Sequence, residues 1–147
     1  MTAVRGAAAS TVVTSDPRPP ILFFDGGCAL CHGAVRRLLR WERNGHRTLC
    51  FAPLEGPTAE SLRTNQALPL LRDAVILWTT EGAVQGEAAV GAALDLIGCH
   101  KAAKAFRLLP RFLRLAGYRL IARHRHRWFG RVPADCPMPA DPARMLP

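Results

Sequence analysis

One stretch constrains the fold of this chain more than any other: Phe23-Phe24-Asp25-Gly26-Gly27-Cys28-Ala29-Leu30-Cys31-His32. It leads from a short apolar run through two glycines to two cysteines in the spacing C-x-x-C. Near a βαβ pattern in an intracellular protein, this spacing is typical of a dithiol that cycles with a disulfide. Cysteines three residues apart on a first helical turn can bridge, and the helix N-terminus stabilises a thiolate on the first. The stretch therefore predicts a redox pair at the start of a helix.

The composition limits the class of protein. A chain of 147 residues, 49% of them apolar, fits one domain that buries its own core. Five cysteines are an odd number and too few for a secreted disulfide framework, so we expect a cytoplasmic protein with most thiols free. The start of the chain lacks the apolar core of a signal peptide, and the longest apolar stretch, 83–99, is interrupted by Glu87 and Asp95. We therefore expect a soluble protein.

The remaining pattern predicts an α/β domain between two tails. Residues 1–20 carry Ser, Thr, Asp and Pro without periodicity, which predicts a disordered tail. Apolar runs and turn residues predict strands at 21–24, 47–52, 74–79 and 83–85, and helices at 29–43, 58–65, 87–96 and, with a break at Pro110, 101–127.

A βαβ half followed by a ββα half is the thioredoxin-like plan. We therefore predict a four-stranded mixed sheet with flanking helices, the first two strands parallel, and a reactive loop at the carboxyl end of the first strand. The domain is assigned to residues 21–131, including a basic helical extension from about residue 100, and residues 132–147 are assigned to a C-terminal tail.

The first predicted helix gives its two cysteines different roles. Cys31, Val35, Leu38 and Leu39 recur at i, i+4, i+7 and i+8, with arginines on the opposite side. This stripe predicts that Cys31 is buried and that Cys28 is exposed at the mouth of the helix. Cys28 is then expected to attack a substrate disulfide as the thiolate, and Cys31 to resolve the mixed disulfide.

The residues before the cysteines have more than one interpretation. Asp25 is predicted either to carry the proton of Cys31 or to cap the loop by accepting backbone N–H bonds. Gly26 and Gly27 are expected to permit a positive φ or the close approach of substrate. No Lys or Ser/Thr follows them as a phosphate-binding loop would require.

Two other uses of the cysteines stay open at this point. Cys28 and Cys31 could be buried cysteines at a helix start without redox chemistry. A zinc site would need a second pair at similar spacing, whereas Cys50, Cys99 and Cys136 are isolated, so we predict no metal and no cofactor. Cys136, in a predicted loop, is a candidate third redox thiol.

Three motifs resemble those of the DCC family of predicted thiol-disulfide oxidoreductases. They are Asp25-x-x-Cys28-x-x-Cys31, Phe51-Ala52-Pro53-Leu54, and Tyr118-x-x-Ile121-Ala122-Arg123-His124-Arg125-His126-Arg127-Trp128-Phe129-Gly130. The resemblance covers residues 21–137 and departs from the family pattern at Glu55 and His124. It implies a thioredoxin-like fold and dithiol redox activity. Unlike thioredoxins, the chain has no proline directly before the third strand, which predicts a different grip on substrate.

The basic residues are concentrated near the end of the chain. Residues 101–131 contain ten Lys/Arg and no acid, whereas the chain as a whole carries +9. The predicted helix there has an apolar stripe of Leu113, Gly117, Leu120 and Ile121, extended by His124 and Trp128. It is expected either to pack on the sheet or to rest on an anionic membrane, with Arg119, Arg123, Arg125 and Arg127 as its anion contacts. Nucleic acid is disfavoured because no recognition motif is present and aromatics are few.

The sequence thus predicts a thiol-disulfide oxidoreductase. Its expected partners are a disulfide-bearing protein or small thiol and a reductant that no motif identifies. The alternative is a non-catalytic thioredoxin-fold binding module, peripheral to an anionic membrane through its basic helix.

Overall fold

The computed structural model describes residues 19–42, 49–65, 68, 74–133 and 143–147. Within these ranges the elements are, in chain order, β1 (Ile21–Phe24), α1 (Ala29–Trp41), β2 (Cys50–Pro53), α2 (Pro57–Thr64), β3 (Ile76–Thr79), β4 (Gly82–Gln85), α3 (Glu87–Leu96), α4 (His100–Leu108) and α5 (Arg111–Phe129). The predicted N-terminal tail up to residue 18, the residue before Ala74, and Cys136 lie outside the described residues.

The four strands form one mixed sheet in the order β2-β1-β3-β4. β1 runs parallel to β2 and antiparallel to β3, and β4 runs antiparallel to β3. All four residues of β1 are buried, because alternate side chains point to two faces that are both covered. The predicted four-stranded sheet and thioredoxin-like order are confirmed.

Each face of the sheet carries its own core. On one face, Leu22 and Phe24 pack with residues of α1 and α3, and Cys28 and Cys31 belong to this cluster. On the other face, Ile21 and Phe23 pack with β2, β3 and α2. The two cysteines are therefore part of the apolar core on the α1 side of the sheet.

The helix boundaries agree with the predictions to within two residues, and α3 coincides with its predicted range. The predicted break at Pro110 is confirmed, since this residue, which has no N–H to donate, stands at the N-cap of α5. β2 includes Pro53, which was predicted to end the strand. A proline is tolerated there because β2 lies at the edge of the sheet.

The apolar stripe of α5 does not pack on the sheet, so this expectation was wrong. Its large side chains lie about half exposed, at 49% for Leu113, 52% for Leu120, 45% for Ile121 and 55% for Trp128. α5 contacts α1 and α3 instead, and Arg114, Tyr118 and Arg125 make polar contacts from its inner side. No helix in the described part of the chain is long and apolar enough to cross a membrane.

The last residues depart from the assignment of 132–147 to a tail. Arg144 is buried, donates from Nε to the Leu49 carbonyl oxygen at 3.0 Å, and forms an ion pair with Glu42. Met145 bridges to Phe51 beside the edge strand β2, where Leu146 N–H also donates to the Phe51 carbonyl at 2.8 Å. Residues 143–147 therefore belong to the folded domain, because they complete hydrogen bonds that this edge would otherwise leave open.

Candidate active site

The predicted reactive loop lies between the end of β1 and the start of α1. Within it, the Cys28 N–H donates to the Asp25 carbonyl at 3.2 Å, which closes a tight turn. Neither glycine of the loop has a positive φ, so the first of the two expected reasons for them does not apply. A Cβ on Gly26 would lie 3.2 Å from the Cβ of Pro53, so the close approach is that of the neighbouring strand.

The two cysteines meet at the first turn of α1, and both are in the free thiol form. Cys28 is the N-cap residue, and its Sγ accepts a hydrogen bond from the Cys31 backbone N–H at 3.3 Å. This bond and the helix N-terminus both favour negative charge on the Cys28 sulfur. The sequence therefore placed the pair correctly at the start of the helix.

The expected exposure of Cys28 is wrong. Cys28 is fully buried and Cys31 is 8% exposed. Residues 130–132, directly after α5, run beside the loop: Ala29 N–H donates to the Gly130 carbonyl at 3.4 Å, and Val132 N–H to the Gly27 carbonyl at 3.0 Å. Cys28 itself forms an antiparallel bridge with Arg131. We refer to residues 130–132 as the strap.

Burial raises the pKa of the Cys31 thiol well above its ordinary value. Its hydrogen bond with Cys28 and the negative charge that Cys28 can carry raise this pKa further, and Asp25 adds to the effect. The Arg125 guanidinium acts in the opposite direction but does not offset burial. Cys31 is therefore protonated at neutral pH, as a resolving thiol that waits for a mixed disulfide would be.

A part-buried cluster of polar groups surrounds Asp25. Its Oδ1 accepts from the Gly27 N–H at 2.9 Å, so the predicted loop-capping bond is present. Its Oδ2 lies 2.9 Å from Arg125 Nη2 and 3.1 Å from His126 Nε2. Arg125 is 4% exposed, although it stands 100 residues away in the chain. The cluster holds a carboxylate beside the dithiol.

His32 anchors the loop from the other side. Its Nε2 lies 2.8 Å from the Gly26 carbonyl oxygen, and its ring meets Phe24 edge-on with centroids 5.9 Å apart. The sequence analysis gave no structural role to His32, His126 or the strap. His126 and Gly130 lie within the C-terminal signature, so the co-occurrence of that signature with the cysteine motif was the available signal.

The four arginines predicted as anion contacts separate into two groups. Arg119, Arg123 and Arg127 are exposed on α5. Arg125 is turned inward to Asp25, so its assignment as a surface contact needs correction. The reason is helical geometry, because Arg125 follows Arg114 and Tyr118 along the inner side of α5.

Cys50 and Cys99 are the other cysteines in the described part of the chain. Cys50 and Cys99 are half-buried, free, and placed on other elements, and burial raises the pKa of Cys50. In the described ranges, no three His, Cys, Asp or Glu side chains come together as a metal site.

A thioredoxin-like sheet with a C-x-x-C pair at the first turn after β1 defines a dithiol protein of the thioredoxin-like class. Comparison with known proteins narrows this class. The family model for DCC1-like thiol-disulfide oxidoreductase matches residues 22–131, and the chain belongs to this family. The chain is also 31% identical over 140 residues to the uncharacterized protein YuxK of Bacillus subtilis (strain 168), an alignment that covers 92% of this chain and all of YuxK. No solved structure matches the present chain.

Proposed function

We propose that the protein is a thiol-disulfide oxidoreductase in which Cys28 is the nucleophile and Cys31 the resolving thiol. The Cys28 thiolate attacks one sulfur of a substrate disulfide, which forms a mixed disulfide and releases the first substrate thiolate. Cys31 then attacks Cys28, which forms the Cys28–Cys31 disulfide and releases the second thiolate. Two electrons pass from the protein to the substrate, and an external dithiol reductant restores the starting state.

The observation that carries this proposal is the hydrogen bond from the Cys31 N–H to the Cys28 sulfur at 3.3 Å. It stabilises a thiolate on the first cysteine and holds the second within one helical turn of it. The raised pKa of Cys31 supports the same division of roles, because burial keeps this thiol protonated until the mixed disulfide forms.

Asp25 is proposed to take the proton that Cys31 loses when it attacks Cys28. Asp25 contributes to the electrostatic environment of Cys31. His126, which contacts the same carboxylate oxygen at 3.1 Å, is placed to exchange the proton onward. Gly27 holds this carboxylate in place through its N–H, whereas the Gly26 N–H donates to Glu55 Oε2 at 3.3 Å.

Because Cys28 is fully buried, a substrate sulfur reaches it only after the strap separates from the loop. Two backbone hydrogen bonds, those of Ala29 and Val132, join the strap to the residues around Cys28. Each contributes on the order of 1 kcal/mol, so this opening requires no unfolding of the domain.

The substrate class is proposed to be a protein disulfide or a small disulfide, and the compartment a reducing cytoplasm. The free state of all four cysteines in the described part of the chain is compatible with such a compartment. The competing function is a binding module that keeps this fold without using its thiols.

The test is a trapping experiment on the full chain. Mild oxidation of the native protein is expected to remove two hydrogens, with the disulfide mapping to the Cys28–Cys31 peptide by mass spectrometry. Cys31→Ser is expected to accumulate mixed disulfides at Cys28 with a small disulfide reagent, because the resolving step is lost. Cys99→Ser is the matched control and should behave as the native protein.

The result that removes the oxidoreductase is equally specific. If Cys28 reacts no faster than Cys50 or Cys99 in the folded protein, the thiol pair has no special reactivity. The binding-module function would then stand.

A further inference from the structure

α5 contacts the domain through several polar side chains. Arg114 Nη1 lies 3.5 Å from Glu87 Oε2 on α3. Tyr118 OH accepts from the Val75 N–H at 3.1 Å. With the Arg125 pair to Asp25, these contacts seat α5 on the domain through hydrogen bonds and ion pairs. Several large apolar side chains of α5 are left exposed beside this inner side.

We define the outer face of α5 by its exposed apolar side chains, Leu113, Leu120, Ile121 and Trp128. At 3.6 residues per turn these positions fall within an arc of about 100°. His124 stacks on Trp128 with ring centroids 5.1 Å apart, which holds the indole on this face. Two further apolar side chains are exposed near the start of α5: Leu108 at the end of α4, 76% exposed, and Phe112 in the first turn of α5, 68% exposed.

The charges around the outer face have a single sign. Arg119, Arg123 and Arg127 are exposed beside the apolar arc, and residues 101–131 contain no Asp or Glu. A group of exposed apolar side chains beside several arginines favours a binding partner that is both apolar and anionic. A second copy of the chain would bring cations against cations, so charge complementarity disfavours a dimer.

The shape of the exposed surface distinguishes between two remaining kinds of partner, a protein groove and a flat bilayer. A protein that binds a helix in a groove surrounds much of its circumference, but α5 is held to the domain along its inner side. Only the outer arc is available, along a helix of 19 residues, or about 28 Å. A flat surface meets this arc without displacing α5. A bilayer with acidic lipids offers such a surface, with acyl chains for the apolar side chains and phosphate or carboxylate groups for the arginines.

We propose that the outer face of α5 docks the protein on an anionic lipid bilayer, with α5 parallel to the membrane plane. Leu113, Leu120 and Trp128 enter the boundary between headgroups and acyl chains, and the exposed arginines contact the headgroups. The strap follows α5 directly, so docking would place the dithiol close to the membrane surface. This proposal goes beyond the redox function and holds whether or not the thiols react.

The test is flotation of the full chain with vesicles. One vesicle contains phosphatidylcholine alone and the other about 30% phosphatidylserine, both at low salt. The native protein is expected to float only with the anionic vesicles and to be released as salt is raised, because exposed charges are screened.

Two sets of variants locate the binding face. Replacing Arg119, Arg123 and Arg127 with Gln is expected to weaken binding about a hundredfold, since each cation near the surface contributes about fivefold. The matched control replaces the exposed Arg36, Arg37 and Arg40 of α1 with Gln and is expected to change binding much less.

A second pair of variants tests the apolar residues. Trp128→Gln is expected to weaken binding about tenfold through the loss of apolar insertion. Trp41→Gln is the control on α1, where the tryptophan is similarly exposed at 48%. Circular dichroism of each variant confirms that the fold is retained.

Several outcomes overturn the proposal. Absence of flotation with anionic vesicles at low salt removes it outright. Equal losses in the α1 and α5 variants show attraction by net charge without a docking face. A dimer in solution that Leu120→Gln dissociates, without vesicle binding, assigns the face to a second copy. Tighter binding of polyglutamate than of vesicles, lost in Trp128→Gln, assigns it to an acidic polypeptide.

Discussion

The two longest helices described in the domain, α1 and α5, are both rich in arginine and leucine. They differ in which of these side chains face the domain. α1 buries Val35 and Cys31 against the sheet and exposes Arg36 and Arg37. α5 buries Arg125 and leaves its leucines and Trp128 about half exposed. A helix covers whichever surface it meets with the side chains that this surface requires. α1 meets the apolar face of a sheet, whereas α5 meets a carboxylate in the reactive loop, a glutamate on α3 and the Val75 N–H just before β3.

This difference has a consequence for function. On α5, Arg125 pairs with the Asp25 carboxylate beside the dithiol, a contact that an apolar side chain could not supply. The same packing of α5 leaves several of its apolar side chains exposed. The structure of the candidate active site and the exposed outer face are therefore two results of a single packing arrangement.

The largest expected effect is a loss of stability on replacing the buried arginine of α5. An exposed arginine of α1 serves as the comparison. Arg125→Met is expected to lower the free energy of unfolding by about 3 kcal/mol, because it leaves the part-buried Asp25 carboxylate without its Arg125 partner. Arg36→Met, at an exposed position of α1, is expected to change it by less than about 0.5 kcal/mol. Urea denaturation measures both. Equal effects of the two substitutions would mean that the inner side of α5 does not depend on this ion pair.

The next prediction compares apolar residues, one buried on α1 and one exposed on α5. Val35→Ala on the inner side of α1 is expected to cost about 2 kcal/mol, from lost apolar burial and the cavity that remains. Leu120→Ala on α5 is expected to cost less than about 0.5 kcal/mol. The same denaturation series checks this. A cost at Leu120 as large as at Val35 would show that the outer face is buried in solution, for instance in an oligomer.

The smallest effect comes from pH and concerns the Cys31 thiol on α1; Cys50, whose pKa burial also raises, is present in both proteins compared. Because burial raises the pKa of Cys31, the folded state favours the protonated thiol, and this stability is complete below the ordinary pKa of 9.0. It is lost as pH rises above that value, by about 1 kcal/mol at pH 10 for one proton. Urea midpoints of the reduced protein at pH 7 and 10 measure the loss, and Cys31→Ser is the control. A variant as sensitive to alkali as the native protein would contradict the assignment to Cys31.

Much of the fold followed from local patterns. The buried run of β1, the C-x-x-C start of α1, the hairpin before β4 and the break at Pro110 each depend on neighbouring residues, and each was predicted close to its observed position. Of the candidate site, only the residues that are close together in the sequence were predicted to meet. Cys28, Cys31 and Asp25 lie within seven residues of one another, so their proximity could be inferred from the sequence. Arg125 and His126 stand about a hundred residues away and reach Asp25 only through tertiary packing.

The errors have the same origin. An apolar stripe on α5 indicates that one side of the helix differs from the other, but not which side meets the domain. The i, i+4 pattern of α1 placed Cys31 in the core correctly, yet Cys28 is buried too, because the strap pairs alongside it. A segment assigned to a tail likewise contributes Arg144, which is buried against Leu49 and Glu42.

The sequence by itself thus determined the dithiol, its helix start, the strand order along the chain and the basic character of residues 101–131. Tertiary structure alone decided which side of α5 faces inward, which arginine leaves the surface to hold Asp25, and that Cys28 is closed off by the strap. The physical reason is that local patterns encode backbone propensity and the existence of two unlike sides. The choice between those sides depends on the polar groups that distant parts of the chain bring to the same place.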